Sequence, residues 1–98
     1  MQMQHSIHVL VADDHVDFRK CLVKLLDFMP EITRITEVAN GREAVDQIAK
    51  QWHDVVLLDS DMPVLDGLQA TRQIKAQWPQ IKVVLLSVDP YLRAEALA

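Results

Sequence analysis

Short apolar runs punctuate the chain, and between them apolar residues recur at three- and four-residue steps. The runs Ile7 to Ala12, Val55 to Leu58 and Val83 to Leu86 are rich in Val, Leu and Ile, and each ends in a polar cluster. Only His8 interrupts the first. Because these runs do not alternate polar with apolar, they predict strands covered on both faces, the condition of a parallel sheet between helices. A fourth run, Ile32 to Val38, interleaves Thr33, Arg34, Thr36 and Glu37 with its apolar residues, which suits an edge strand.

The intervening segments read as helices. Phe18, Cys21, Leu22, Leu25, Leu26 and Met29 fall on one stripe, with Arg19, Lys20, Lys24 and Asp27 toward water and Pro30 closing the helix. Asn40-Gly41-Arg42-Glu43 has the form of a capping box, followed by Ala44, Val45 and Ile48 at helical spacing. Asp66-Gly67-Leu68-Gln69 offers the same kind of start, with Leu68, Thr71 and Ile74 running on to Pro79. Asp89-Pro90 supplies an N-cap and a proline at the first helical position, so a short fourth helix is expected with Leu92, Ala96 and Leu97 inward. Strand starts recur about every 25 residues, the length of one strand-helix unit, so the predicted order is βαβαβαβα and the fold class α/β.

With 98 residues the chain has room for one domain. Composition adds exclusions. Ten Lys and Arg against fourteen Asp and Glu give a net charge of −4, so these residues lack the bulk basic charge for binding nucleic acid. The single cysteine, Cys21, forms no internal disulfide and on the apolar stripe behaves as a small core residue, which fits a reducing cytoplasm. Residues 1–5 do not read as a secretory signal, and no apolar run approaches the roughly 20 residues that span a bilayer.

Right-handed crossovers place the carboxyl ends of all parallel strands on one side of the sheet, where open α/β folds bind ligands. Acids collect there: Asp13 and Asp14 after the first strand, Asp59 at the end of the third with Asp61 beyond it, and the hydroxyl of Ser87 after the fourth. Two like charges about 5 Å apart repel by roughly 3 kcal/mol at an effective dielectric near 20, so the cluster calls for a cation. An all-oxygen donor set suits Mg²⁺. Such an ion would let a phosphoryl group approach Asp59 as nucleophile, with Ser87 donating to a phosphoryl oxygen.

Together, Ala12-Asp13-Asp14-His15, the run Val55 to Pro63 with Asp66-Gly67 after it, and Leu85-Leu86-Ser87 resemble the receiver domain of bacterial two-component response regulators over nearly the whole chain. The resemblance implies a flavodoxin-like doubly wound sheet of strand order 2-1-3-4. It implies that Asp59 accepts a phosphoryl group from a histidine kinase, that Asp13, Asp14, Asp59 and the backbone carbonyl of Asp61 hold Mg²⁺, and that Ser87 is the switch hydroxyl. Ala12 to His15 and Gly67 to Arg72 further resemble the subgroup with a helix-turn-helix output domain, through which DNA would be bound. The family also has a fifth strand, a lysine just after it that pairs with the phosphoryl group, and a last helix. Residues 1–98 are therefore expected to be a receiver truncated within or just after helix four, and Lys20, Lys24, Lys50, Lys75 and Lys82 are badly placed to substitute for that lysine. Val83 to Leu86 then becomes an exposed edge, and a homo-oligomer or strand-exchanged dimer through strand four and helix four is expected.

The remaining residues have structural readings. His5, His8, His15 and His53 are scattered and expected at the surface or in loops, with His15 alone near the acids. Trp52 and Trp78 are expected to cover core edges, and Met62 and Pro63 to shape their loop. Gly41 and Gly67 are too few for a nucleotide loop, so ATP is not expected. The functional reading is a switch that accepts a phosphoryl group on itself and is not a turnover enzyme. The alternatives are an interaction module without phosphorylation and a Mg²⁺-dependent phosphatase using Asp59-Ser60-Asp61.

Overall fold

The computed structural model describes residues 6–86, in which four strands and three helices alternate. The strands are β1 (Ile7–Ala12), β2 (Ile32–Val38), β3 (Val55–Asp59) and β4 (Lys82–Leu86), and the helices α1 (Val16–Leu26), α2 (Gly41–Lys50) and α3 (Gly67–Gln77). All strand pairs are parallel, as the apolar runs predict, and the order is β2-β1-β3-β4, as the family resemblance implies. β2 forms one edge, and β1 and β3 lie centrally. Among the described residues no helix is long and apolar enough to cross a membrane. Ser87, His5 and the expected fourth helix lie outside the described residues.

The main core fills the space between one sheet face and helices α2 and α3. Leu10, Ala12, Val56 and Leu58 turn inward to meet Ala44, Val45 and Ile48 of α2 and Ala70 and Ile74 of α3, with Met62, Leu65 and Ile81 closing the margins. Burying a side chain of Leu or Ile size contributes about 1.5–3 kcal/mol, so this cluster is the main source of stability. Both helices begin on caps read from the sequence. The Asn40 side chain accepts from Glu43 N at 2.9 Å, and Glu43 reaches back to Ala39 N at 2.8 Å, one residue earlier than the expected box. Asp66 accepts from Gln69 N at 2.8 Å and Gln69 returns to Asp66 N, a complete capping box.

The inner stripe of α3 differs from the expectation. Gly67, Ala70 and Ile74 face inward, while Leu68 is 49% exposed. Close approach decides this. A Cβ on Gly41 would overlap the Leu65 carbonyl and crowd Ala70, so only small residues fit where the two helices converge.

The opposite face is less complete. No residue of α1 is buried: Phe18, Leu22 and Leu26 are half-buried, while Leu25 and Cys21 are exposed, so Cys21 is not a core residue. The helix also stops at Leu26, before Pro30, leaving Met29 outside it and exposed. The cause is that α1 has sheet beneath it and no described helix beside it. A groove of about 520 Å³ lined by Val9, Leu26, Met29, Val55 and Leu57 runs along its flank. Val84 and Leu85 on the β4 edge are 44% and 42% exposed. Among the described residues the cover expected on both faces is therefore only partial on this side.

His53, expected at the surface, is wholly buried. Its Nδ1 donates to the Gln51 carbonyl at 2.9 Å, and its Nε2 accepts from the Thr36 hydroxyl at 3.1 Å, which fixes a neutral tautomer. Burial pushes its pKa below the ordinary histidine value; the Gln51 carbonyl opposes this, His8 and Arg34 add to it, and Asp54 opposes. Below about pH 6.5 the unfolded chain takes up a proton that the folded ring resists, so this residue's contribution falls as pH falls. Thermal unfolding between about pH 7.5 and pH 5 should show a declining Tm whose slope is shallower in His53→Gln. Identical slopes would remove His53 from the acid response.

Candidate functional site

β1 and β3 are neighbours in register, with Ala12 opposite Leu58, so the acids following each strand emerge side by side at the carboxyl edge. Asp13, Asp14, His15 and Asp59 each offer a donor atom within 4.8 Å of the others. The convergence of Asp13, Asp14 and Asp59 expected from the strand ends is thus present. Asp61 stands apart: its side chain is exposed, and its backbone N–H donates to Asp59 Oδ1 at 3.1 Å.

Two members of the cluster are deeply placed. The side chains of Asp13 and Asp59 are 2% and 0% exposed, whereas that of Asp14 is 35% exposed. Asp13 Oδ1 accepts from the His15 backbone N–H at 2.8 Å, a turn that opens α1. Asp13 Oδ2 and Asp59 Oδ2, however, are buried without hydrogen-bond partners. Leaving such an oxygen unsatisfied costs about 1–3 kcal/mol, more when it is charged. Burial pushes the Asp59 carboxyl above its ordinary range; the Asp61 N–H opposes this, and the negative Asp13 and Asp14 add to it.

The other end of the same strand provides a contrast. Asp54, just before β3, accepts the His8 N–H at 2.9 Å and the Trp52 indole N–H at 3.0 Å, which together hold it below the usual carboxylate range. It is a satisfied structural acid. Trp52 itself is 46% exposed and fastens Asp54, while Trp78 packs against the core as expected.

Local packing holds the pocket in shape. A Cβ on Gly67 would overlap the Asp59 carbonyl and press on Leu85, so the start of α3 sits directly against the end of β3. The connecting loop reaches that position with Val64 at φ 71°, a left-handed conformation that costs a β-branched residue about 1–3 kcal/mol. Met62 and Leu65 anchor this loop in the core. On the other side Arg19, expected to face water, is only 14% exposed. It donates from Nη1 to the Asp13 carbonyl at 2.6 Å and from Nε to Glu37 Oε1 at 3.0 Å, clamping the end of β1. Glu37 is opposite Val11 in the strand register, and that pairing brings it to Arg19. Partial burial opposes ionisation of Glu37, yet hydrogen bonds from Lys20 and Arg19 hold it below its ordinary range.

His15 is the other residue whose role the sequence understated. Its Nδ1 lies 3.2 Å from Asp13 Oδ1, 3.2 Å from Asp14 Oδ1 and 3.6 Å from Asp59 Oδ2. Among the described residues it alone brings a potential positive charge within ion-pair distance of these acids. Hydrogen bonding to Asp13, reinforced by the Asp14 charge, holds it above the ordinary histidine value. The donor set fits a hard divalent cation: carboxylates converge, and Asp13 and Asp59 each keep one buried oxygen without a partner.

Comparison with known proteins agrees with this layout. The family model for the response regulator receiver domain matches residues 9–96. The transcriptional regulatory protein DegU of Brevibacillus brevis is 33% identical over 85 residues, covering 87% of this chain and 36% of that protein. A protein-glutamate methylesterase/protein-glutamine glutaminase of Rhodospirillum centenum is 39% identical over 79 residues, covering 81% of this chain and 20% of that protein. The chain therefore spans well under half of either relative. Among solved structures, the signal receiver domain of the putative response regulator NarL from Mycobacterium tuberculosis superposes with a TM-score of 0.77 at 30% identity, covering 95% of this chain and 77% of that one.

If the acids repel and Asp59 Oδ2 lacks a partner, Asp59→Asn should stabilise the cation-free chain by about 1–2 kcal/mol. The measurement is the Tm in excess chelator, which should rise. A fall in Tm would show that the buried carboxylate is already compensated.

Proposed function

The chain belongs to the response regulator receiver domain family, and on that premise we propose that Asp59 is its phosphoacceptor, receiving a phosphoryl group from a histidine kinase. The observation that carries this reading is Asp59 Oδ2, buried at a strand end without a partner while its sister oxygen is held by the Asp61 N–H. One oxygen is fixed and the other is available. Attack by Oδ2 on phosphorus forms the new O–P bond. The bond from phosphorus to the kinase histidine nitrogen breaks, and its electron pair leaves with that nitrogen. Asp13, Asp14, Asp59 and the backbone carbonyl of Asp61 would hold Mg²⁺, which supplies the positive charge that lets a phosphate enter an acidic pocket.

Gly67 and the strained loop at Val64 hold the Asp59 backbone in place, so arrival of a phosphoryl group is transmitted to neighbouring elements. β4 is the natural receiver of that signal: Leu86 pairs with Asp59 in register, and its carbonyl accepts from Ser60 N at 2.7 Å. Ser87, next along the chain, would donate its hydroxyl to a phosphoryl oxygen. The output is a changed surface and not a released product. Transcriptional control through a DNA-binding segment, in a cytoplasmic protein, is the context we favour, given the likeness to DegU.

A second reading, an interaction module without phosphorylation, draws on the lysines. Lys20 is held by Glu37, and Lys75 by the carbonyls of Pro79 and Ile81, so neither is free for a phosphoryl group. Incubation with Mg²⁺ and acetyl phosphate, followed by intact mass, separates the readings. One phosphoryl adduct, lost in Asp59→Asn, is expected. Silence would favour the module, and turnover of phosphate esters a phosphatase.

The β4 edge, with Val84 and Leu85 exposed, is where a second copy of this chain would pair. Sedimentation velocity at high micromolar concentration should show a dimer that Val84→Lys weakens. A monomer throughout that range would reject the pairing.

A further inference from the structure

The acidic pocket contains one donor that does not belong to an oxygen site. His15 occupies the N-cap position of α1, yet its side chain makes no capping hydrogen bond. The ring instead turns back over the strand ends, with Nδ1 at 3.2, 3.2 and 3.6 Å from single oxygens of Asp13, Asp14 and Asp59. Two donors bound at right angles to one ion, with bonds of about 2.1–2.3 Å, lie roughly 3.0–3.3 Å apart. The spacings to Asp13 and Asp14, both 3.2 Å, fall within that range, and the 3.6 Å spacing to Asp59 lies just beyond it.

A second observation points the same way. Asp59 Oδ2, the atom 3.6 Å from the ring, is buried and has no hydrogen-bond partner, and Asp13, whose Oδ1 lies by the ring, keeps its other oxygen buried and unpartnered. An acidic cluster alone would be satisfied by water and counter-ions, whereas a buried, unpartnered Asp59 oxygen beside a ring nitrogen and two further carboxylates points to a coordination sphere. The His15 side chain is 58% exposed, so the nitrogen closes the pocket from the solvent side while an ion can still enter.

Donor type then sets selectivity. Oxygen-only sites suit Mg²⁺, which binds imidazole poorly, while first-row transition ions gain affinity from a nitrogen donor in the order Mn²⁺, Fe²⁺, Co²⁺, Ni²⁺. We propose that His15 Nδ1 is a direct ligand in this pocket, giving an O₃N side-chain donor set that takes divalent first-row transition ions in preference to Mg²⁺. This rests on the reading that Asp13, Asp14 and Asp59 hold a cation, and adds to it the identity of the fourth donor and the class of ion.

The test uses the full chain, freed of metal and titrated calorimetrically with MgCl₂ and with CoCl₂. The wild-type chain should bind Co²⁺ at least about tenfold more tightly than Mg²⁺, and His15→Gln should remove most of that difference while leaving Mg²⁺ affinity nearly unchanged. In the Co²⁺-loaded chain, NMR should show hyperfine-shifted ring-proton signals of one histidine, absent from His15→Gln. Equal losses for both ions, or a gain for both because the ring acts as a competing counter-cation, would overturn the proposal. Asp59→Asn separates the two levels. If it weakens both ions while His15→Gln changes neither selectively, only the role of His15 fails. If it weakens neither, the cation pocket itself fails.

Discussion

A carboxylate with no exposed side-chain surface and one unpartnered oxygen is the feature around which the rest of the molecule is arranged. Asp54 and Asp59 flank the same short strand, and their contrast shows what is at stake. Asp54 receives two hydrogen bonds and becomes a fastening between β1 and β3. Asp59 receives one, from Asp61, and its second oxygen lies 3.6 Å from His15 Nδ1. A low-dielectric setting strengthens whatever eventually pairs with that oxygen and penalises its isolation. The strength of any such pairing and the cost of isolation have the same origin here.

Holding such a group in place requires rigid neighbours that contribute no charge of their own. The small residues Gly41, Gly67 and Ala70 let the starts of α2 and α3 press against the loop and strand ends, so the Asp59 backbone has little room to relax. Complete capping at Asp66 starts α3 directly beside the site. Across the pocket, Arg19 holds the Asp13 carbonyl and is itself oriented by Glu37, which ties α1, β1 and β2 into one unit. Toward the pocket its guanidinium meets the Asp13 backbone oxygen and not the side chains of Asp13, Asp14 or Asp59, so the clamp adds stiffness while leaving those carboxylates unneutralised.

The two faces of the sheet contribute unequally. The α2 and α3 side carries the buried cluster that stabilises the domain, while α1 sits on the other side with no buried residue. The site lies at the edge shared by both layers, anchored by the tight one and opened by the loose one. The His15 ring stands at the start of α1, the helix without a buried residue, and covers the acids from the solvent side.

Much of this was legible in the linear order of residues. Unbroken apolar runs demanded buried parallel strands, Asn40 and Asp66 marked helix starts, and acids after the first and third runs had to meet once those strands became neighbours. The runs and caps are local, so sequence determines them; the meeting of the acids needed in addition the strand order that the family resemblance implied. The inward turn of Gly67 and Ala70 in place of Leu68, the burial of His53 and the Arg19 clamp through Glu37 depended on close approach, on a hydroxyl from another strand and on cross-strand register. The same holds for His15 over the acids, since a side chain's partners across space are set by packing distances that no spacing along the chain encodes.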